Sequence, residues 1–213
     1  MSLKKNLDDI VYETICMGFV SGDYVAGTRL DPTELAERYQ ISKTPIIQAL
    51  KRMAHEHIVE LMPGGKYEIP VATREDIADV CEARLLFEEQ ALVKLGSDIT
   101  SMQLKELEFM VEKSRVYFEE GKFDDYFLAD MAFHKKLVEM AGNQCLLDLY
   151  MVLSNRYMVI RTTTGTSLFH ERVACNEHLQ MVEALRERDV QAVRGLIQTH
   201  IMNMEERIKS KVE

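Results

Sequence analysis

Long apolar runs are missing from this 213-residue sequence. No stretch approaches the eighteen or more apolar residues that a membrane-spanning helix needs, and the N-terminus has no signal-peptide apolar core. Cysteine is scarce as well. Cys16, Cys81, Cys145 and Cys175 are widely separated and form no CxxC pair, which argues against a disulfide framework and against a zinc-finger pattern. A soluble protein of the reducing cytoplasm is the expectation. Helix breakers are few: ten glycines and four prolines, with no proline after Pro70. A chain rich in Leu, Met, Glu and Lys with so few breakers is expected to be mostly helical. Its length allows one large or two small domains.

The net charge of −9 argues against nonspecific binding to nucleic acid. One stretch departs from that average. Residues 38–55 (RYQISKTPIIQALKRMAH) hold Arg38, Lys43, Lys51 and Arg52 and no acidic residue. Around this island the pattern is modular. Residues 6–20 have apolar positions at helical spacing, and "SGDYVAGTRL" breaks them. Asp31 then caps a helix that begins at Pro32, "ISKT" makes a short turn, and "PIIQALKRMAHEH" resumes as a helix. "IVELMPGGKYEIPVA" reads as a β-hairpin around Pro63-Gly64-Gly65. Helix, helix, turn, helix and hairpin make the plan of a winged helix-turn-helix over residues 1–72. The outer face of its second motif helix would carry Lys43, Thr44, Ile47, Gln48, Lys51 and Arg52, with Lys66 in the wing. Such residues suit phosphates and base edges in a major groove.

Residues 73–213 read as an all-α domain with helices over about 73–95, 100–119, 123–141, 144–163, 167–187 and 189–209. In the third of these, "DMAFHKKL" places Asp130 and His134 one turn apart on an apolar stripe with Phe127, Met131, Leu137 and Val138. His178 and His200 fall on the apolar stripes of the last two helices. The remaining histidines differ: His55 and His57 close the second motif helix, and His170 is near a helix start. A charge facing a core costs several kcal/mol unless it is paired or bound to a cation. One divalent ion would satisfy all four residues, and a mixed imidazole and carboxylate set suits Zn, Ni, Mn or Fe(II). Each histidine taken singly is more often a hydrogen-bonded core residue than a ligand.

The stretch "LAERYQISKTPIIQALKRMAHEHIVELMPGGKYEI" resembles the DNA-binding signature of the GntR family of bacterial transcription regulators. Where family members carry two base-reading arginines this chain has Lys43 and Ile47, and it has Gln48 in place of their Glu. A glycine that precedes the family's wing is His57 here. The resemblance implies DNA binding with an altered operator, since Lys43 keeps the charge but loses the bidentate fork. The last 140 residues resemble the FCD effector domain of the FadR-like branch. Its metal-binding members carry Asp-x-x-x-His, a Glu-His pair and a closing His. Asp130, His134, His178 (in "NEHLQMVEAL") and His200 (in "LIQTHIMNM") match them.

"EARLLFEEQA" resembles the start of the same domain, where the family's arginine, here Arg84, meets an acidic effector. The alternative for Arg84 is a surface pair with Glu88 four residues on. Asn155, Arg156 and Arg161 are further candidates for the same cavity. The resemblance implies a ligand-responsive, homodimeric regulator of double-stranded DNA. Its helical domain would bind a divalent metal and a small carboxylate metabolite. A metal-sensing regulator is the alternative, and a metal-dependent enzyme a further one. No Glu or His stands out as a general base for the latter, so no catalytic residue is expected.

Overall fold

A computed structural model describes residues 6–165 and 173–212. Among them it has nine helices and one small sheet, and the chain divides into two units. The first unit comprises residues 1–72 together with 155–165, and the second comprises 73–154 together with 166–213. No described helix is long and apolar enough to cross a membrane.

The first unit runs α1 (Leu7–Ser21), β1 (Arg29–Leu30), α2 (Pro32–Tyr39), α3 (Lys43–His55), β2 (Glu60–Met62) and β3 (Lys66–Glu68). The Asp31 carboxylate accepts from Thr33 N–H at 2.8 Å and so starts α2. Gln40 ends it in the left-handed region at φ 56. The expected hairpin is present, β2 against β3, and its turn places Gly64 and Gly65 at φ +83 and +75, where a side chain would be strained. The sheet has a third strand that the sequence reading treated as a break. β1 pairs antiparallel with β3, Arg29 opposite Glu68 and Leu30 opposite Tyr67. Two residues are too short to show an alternating pattern. Ile15, Phe19, Leu30, Ile46, Leu50, Met53 and Ile69 fill the core of this unit, joined by Val159. His57, at the family's glycine position, adopts φ 58.

Gly18 on α1 lies against an aromatic wall. A Cβ there would lie 2.3 Å from Tyr24 Cδ2 and 2.7 Å from Cε2. The Tyr24 ring sits edge-on to Phe19, and its hydroxyl bonds Tyr39 at 2.8 Å and accepts from Arg38 at 3.2 Å. The ring is therefore held from both ends. Gly18→Ala should cost about 1–3 kcal/mol through overpacking, although alanine favours a helix. Urea denaturation measures it, and an unchanged or higher midpoint would refute the account.

The second unit is built from α4 (Arg74–Asp98), α5 (Ser101–Glu119), α6 (Phe123–Met140), the first half of α7 (Gln144–Thr164), α8 (Val173–Arg186) and α9 (Val190–Lys209). The helix expected from residue 167 starts, among the described residues, at Val173; residues 166–172, His170 included, lie outside them. Capping boxes open α4 (Thr73 with Asp76) and α5 (Thr100 with Gln103). α4 packs on α6, α8 and α9, while α5 packs on α6 and α8. That arrangement brings the inward faces of α4, α6, α8 and α9 together.

Candidate metal centre

The i, i+4 spacing on α6 puts Asp130 and His134 on one buried face, and α8 and α9 supply His178 and His200. All four are buried, at 7%, 1%, 1% and 2% exposure. The three imidazoles meet through their Nε2 atoms. His134 Nε2 lies 3.1 Å from His178 Nε2 and 3.2 Å from His200 Nε2. Asp130 Oδ1 lies at the edge of the trio, 3.7 Å from His178 Nε2 and 4.0 Å from His134 Nε2. Phe133 stacks on the His178 ring at a centroid distance of 4.4 Å.

The other ring nitrogens fix the tautomers. His134 Nδ1 faces Glu88 Oε2 at 2.7 Å, and His200 Nδ1 faces Glu177 Oε2 at 2.6 Å. Burial pushes the Glu88 carboxyl up, but Arg84 and His134 outweigh it and hold it well below the usual carboxylate range. Glu177 is also held low, burial being overcome by hydrogen bonds from His200 and Asn203. Ionised carboxylates only accept, so both Nδ1 atoms carry the hydrogen. In a neutral ring so arranged, Nε2 presents a bare lone pair. Burial, with the neighbouring His200 and His134, pushes His178 well below its ordinary value, so that ring is neutral. Burial likewise lowers His200. A neutral His178 can donate from Nε2 to one neighbour at most. With both rings neutral, the contact between His134 and His200 would be two lone pairs 3.2 Å apart. Only an added proton or a cation relieves that, and one metal would take all three rings together. Three imidazoles on one side leave any such ion open on the other, so the set can anchor an anionic ligand.

Glu88 was not among the expected site residues, yet it is the centre of the surrounding network. It is fully buried; Oε1 accepts from Arg84 Nε at 2.8 Å and from Tyr150 OH at 2.7 Å. The signal for it was in the sequence. Ile77, Cys81, Arg84, Glu88, Ala91, Leu92 and Leu95 form one stripe on α4, so the argument applied to Asp130 applies to Glu88 too. Glu177, held by Asn203 Nδ2 at 2.7 Å, is the Glu of the Glu-His pair.

The structure gives the residues expected at the effector site these surroundings. Arg84 does pair with Glu88, but the pair is buried, at 3% and 0% side-chain exposure, instead of lying on the surface. Its Nη1 also reaches Met204 Sδ at 3.1 Å. Asn155 and Arg161 belong to the first unit. Asn155 Nδ2 donates to Glu56 Oε2 at 3.0 Å and to Tyr12 OH at 3.2 Å, and Arg161 Nη2 donates to the Val20 carbonyl at 2.8 Å. Arg156 is exposed. Helical periodicity had put these three on α7 but could not say which unit each half of α7 serves.

On α3, Lys43, Thr44, Gln48 and Lys51 are exposed and Ile47 is half-buried. Arg52 is exposed as well, but it is paired. Its Nη1 reaches Asp9 at 3.2 Å and its Nε reaches Glu56 at 3.0 Å, with the guanidinium 4.1 Å over the Tyr12 ring. Lys66 Nζ pairs with Asp31 at 2.9 Å. These two cations are engaged with carboxylates of their own unit.

Residues 79–203 match the family model for the FCD domain, and residues 7–68 match that for bacterial regulatory proteins of the gntR family. The chain belongs to the GntR family, in its FCD branch. It is 23% identical over 183 residues to the transcriptional repressor RspR of Escherichia coli K12, covering 86% of this chain and 80% of that protein. To the gluconate operon repressor of Bacillus subtilis 168 it is 31% identical over 129 residues, 61% of this chain and 52% of the relative. A GntR regulator from Rhodococcus sp. RHA1 shares the fold at a TM-score of 0.84 and 15% identity, over 97% of this chain and 99% of that one. The metal-free FCD domain of the regulator TM0439 aligns at a TM-score of 0.56 and 19% identity, over 66% of this chain and 96% of that one. This GntR protein is thus a DNA-binding transcription regulator and not an enzyme.

Proposed function

We propose that the FCD domain of this regulator holds one divalent metal on His134, His178, His200 and Asp130, and that a small carboxylate metabolite binds at that ion. The ion supplies a Lewis-acid anchor for an anion. The observation that carries the reading is the approach of the His134 and His200 Nε2 atoms to 3.2 Å, with a carboxylate behind each ring at Nδ1. Ligand binding would shift operator affinity through its different affinity for two states of a homodimer. Metal analysis of protein purified without chelator tests the site. One metal per chain is expected in wild type, and little in Asp130→Ala or His178→Ala. Wild type without metal, with both variants equally stable, would refute it. A second reading, in which the ion itself is the signal, draws on the burial of Arg84 against Glu88, which engages the cation that an organic acid would need. Equal thermal shifts from small carboxylates with and without metal would refute the anchoring of the metabolite at the ion.

For DNA, we propose that Lys43, Thr44, Ile47, Gln48 and Lys51 face the major groove. Lys43 and Lys51 make no ion pair among the described residues. Lys51→Ala should weaken binding to the DNA upstream of its own gene about equally across sequences and lower the salt slope by about 1. Gln48→Ala should relax sequence preference with the slope unchanged. A salt titration of both variants checks the pair, and the opposite assignment of slopes would refute it.

A further inference from the structure

We infer that α3 selects an operator half-site built on A·T pairs, Ile47 packing on the 5-methyl group of a thymine and Gln48 bonding the edge of an adenine. The inference rests on the groove-facing assignment of α3 above and names the bases that this face would read.

The helix has two distinct faces. Ile46, Ala49, Leu50 and Met53 are buried in the core of their unit. At about 100° per residue, Thr44, Gln48 and Lys51 point away from that core, and all three are exposed. Ile47 lies on the shoulder of the outward face, between Lys43 and Lys51 on one i, i+4, i+8 row, and is half-buried. Tyr39, Ile41 and Ala54 are half-buried too and pack on the core; among the described residues Ile47 does not join them. An aliphatic side chain makes no hydrogen bond. In a major groove its selective partner is the apolar group that marks one base, the thymine methyl.

Guanine is read best by the planar fork of an arginine. Lys43, Thr44, Ile47, Gln48 and Lys51 include none. The arginine of α3, Arg52, lies 4.1 Å over the Tyr12 ring and pairs with both Asp9 and Glu56. Arg29 pairs with Glu68 at 3.2 Å, and Arg38 donates to Tyr24 OH while lying 5.4 Å over that ring.

The two lysines suit the backbone. Lys43 opens the helix, whose first turn carries no acidic residue, so its ammonium and the helix N-terminus together favour a phosphate. Lys51 is eight residues on, about 12 Å along the axis. Cations at the two ends leave the middle of the face to Ile47 and Gln48. The Gln48 amide makes no hydrogen bond among the described residues. Its donor and acceptor match N7 and the amino group of adenine.

The test is selection of bound duplexes from a random library with the full chain. Each thymine of the selected half-site is then replaced by deoxyuridine, which removes only the 5-methyl. One replacement should weaken binding about fourfold, the worth of one buried methyl. Ile47→Ala should bind the thymine duplex about fourfold or more weakly and show no further loss with deoxyuridine there, which closes a double-mutant cycle. Gln48→Ala should keep the deoxyuridine penalty and lose about fivefold or more of its preference for adenine. The scan on wild type needs no variant, so it reads the methyl contact whatever Ile47→Ala does to folding. Guanine selected across the half-site, a scan without a penalty, or a penalty that persists in Ile47→Ala overturns the inference and leaves the groove reading standing. Enrichment of no sequence overturns it as well. If Lys51→Ala then also leaves the salt slope unchanged, the groove reading falls with it.

Discussion

Arg84→Met should destabilise the helical unit by about 3–5 kcal/mol, the ordinary consequence of removing one partner from a buried ion pair. The pair is 3% and 0% exposed. Once the guanidinium is gone, Glu88 keeps, among the described residues, Tyr150 OH and His134 Nδ1 as donors. Neither carries the fixed charge that holds this carboxylate ionised. The double variant Arg84→Met/Glu88→Met should recover most of that loss, because apolar replacements of a buried pair cost little. It should not recover metal affinity. His134 Nδ1 then has no carboxylate behind it, and such outer partners are commonly worth 10–100-fold in affinity, so about that loss is expected. Denaturation midpoints and metal titrations on the same three proteins separate the two effects. An arginine used only to grip an effector behaves otherwise, leaving stability unchanged when replaced. If Arg84→Met unfolds at the wild-type midpoint, the structural role assigned to the pair is wrong.

The same residues show what a sequence can and cannot disclose. Asp130 was legible because an ionisable group on an apolar stripe is an exception that asks for a partner, and His134, His178 and His200 were legible for the same reason. The order and boundaries of the helices followed from caps and breakers: Asp31-Pro32 opens α2, Gly121 precedes α6 and Gly142 follows it. What periodicity cannot supply is the identity of the neighbour. Arg84 with Glu88 reads identically as a surface pair or a buried one, since both satisfy the i, i+4 rule. Only packing against α6 and α9 decides it. The partners of Asn155 and Arg161 were hidden for a related reason, because half of α7 completes the core of the other unit, and a contact 143 residues away leaves no trace in local spacing. β1 fails through brevity. The left-handed His57 was visible only against the family pattern, in which a glycine stands there.

Chelation should remove most of the stability that the metal confers, and the size of the loss should follow a graded series. An ion present at 1,000 times its dissociation constant stabilises the folded state by about 4 kcal/mol, and at 100 times by about 2.7 kcal/mol. Wild-type protein with a saturating metal should therefore lose on that order when the ion is withdrawn. His178→Ala should show almost no response to chelator, because it lacks a nitrogen 3.1 Å from its neighbour's. Glu177→Ala is the informative intermediate. It leaves all three imidazoles in place but removes the acceptor behind His200 Nδ1 at 2.6 Å. That frees the His200 tautomer and orphans Asn203, so affinity should fall about 10–100-fold while the stoichiometry at high metal stays at one. On the linkage relation, such a loss reduces the chelator-sensitive stability by about 1.4–2.7 kcal/mol at fixed metal concentration. Thermal melts with and without chelator, run beside a metal titration, read both quantities. A Glu177→Ala protein as chelator-sensitive as wild type would show that the carboxylate does not set the tautomer. A His178→Ala protein that still responds in full would show that the ion sits elsewhere.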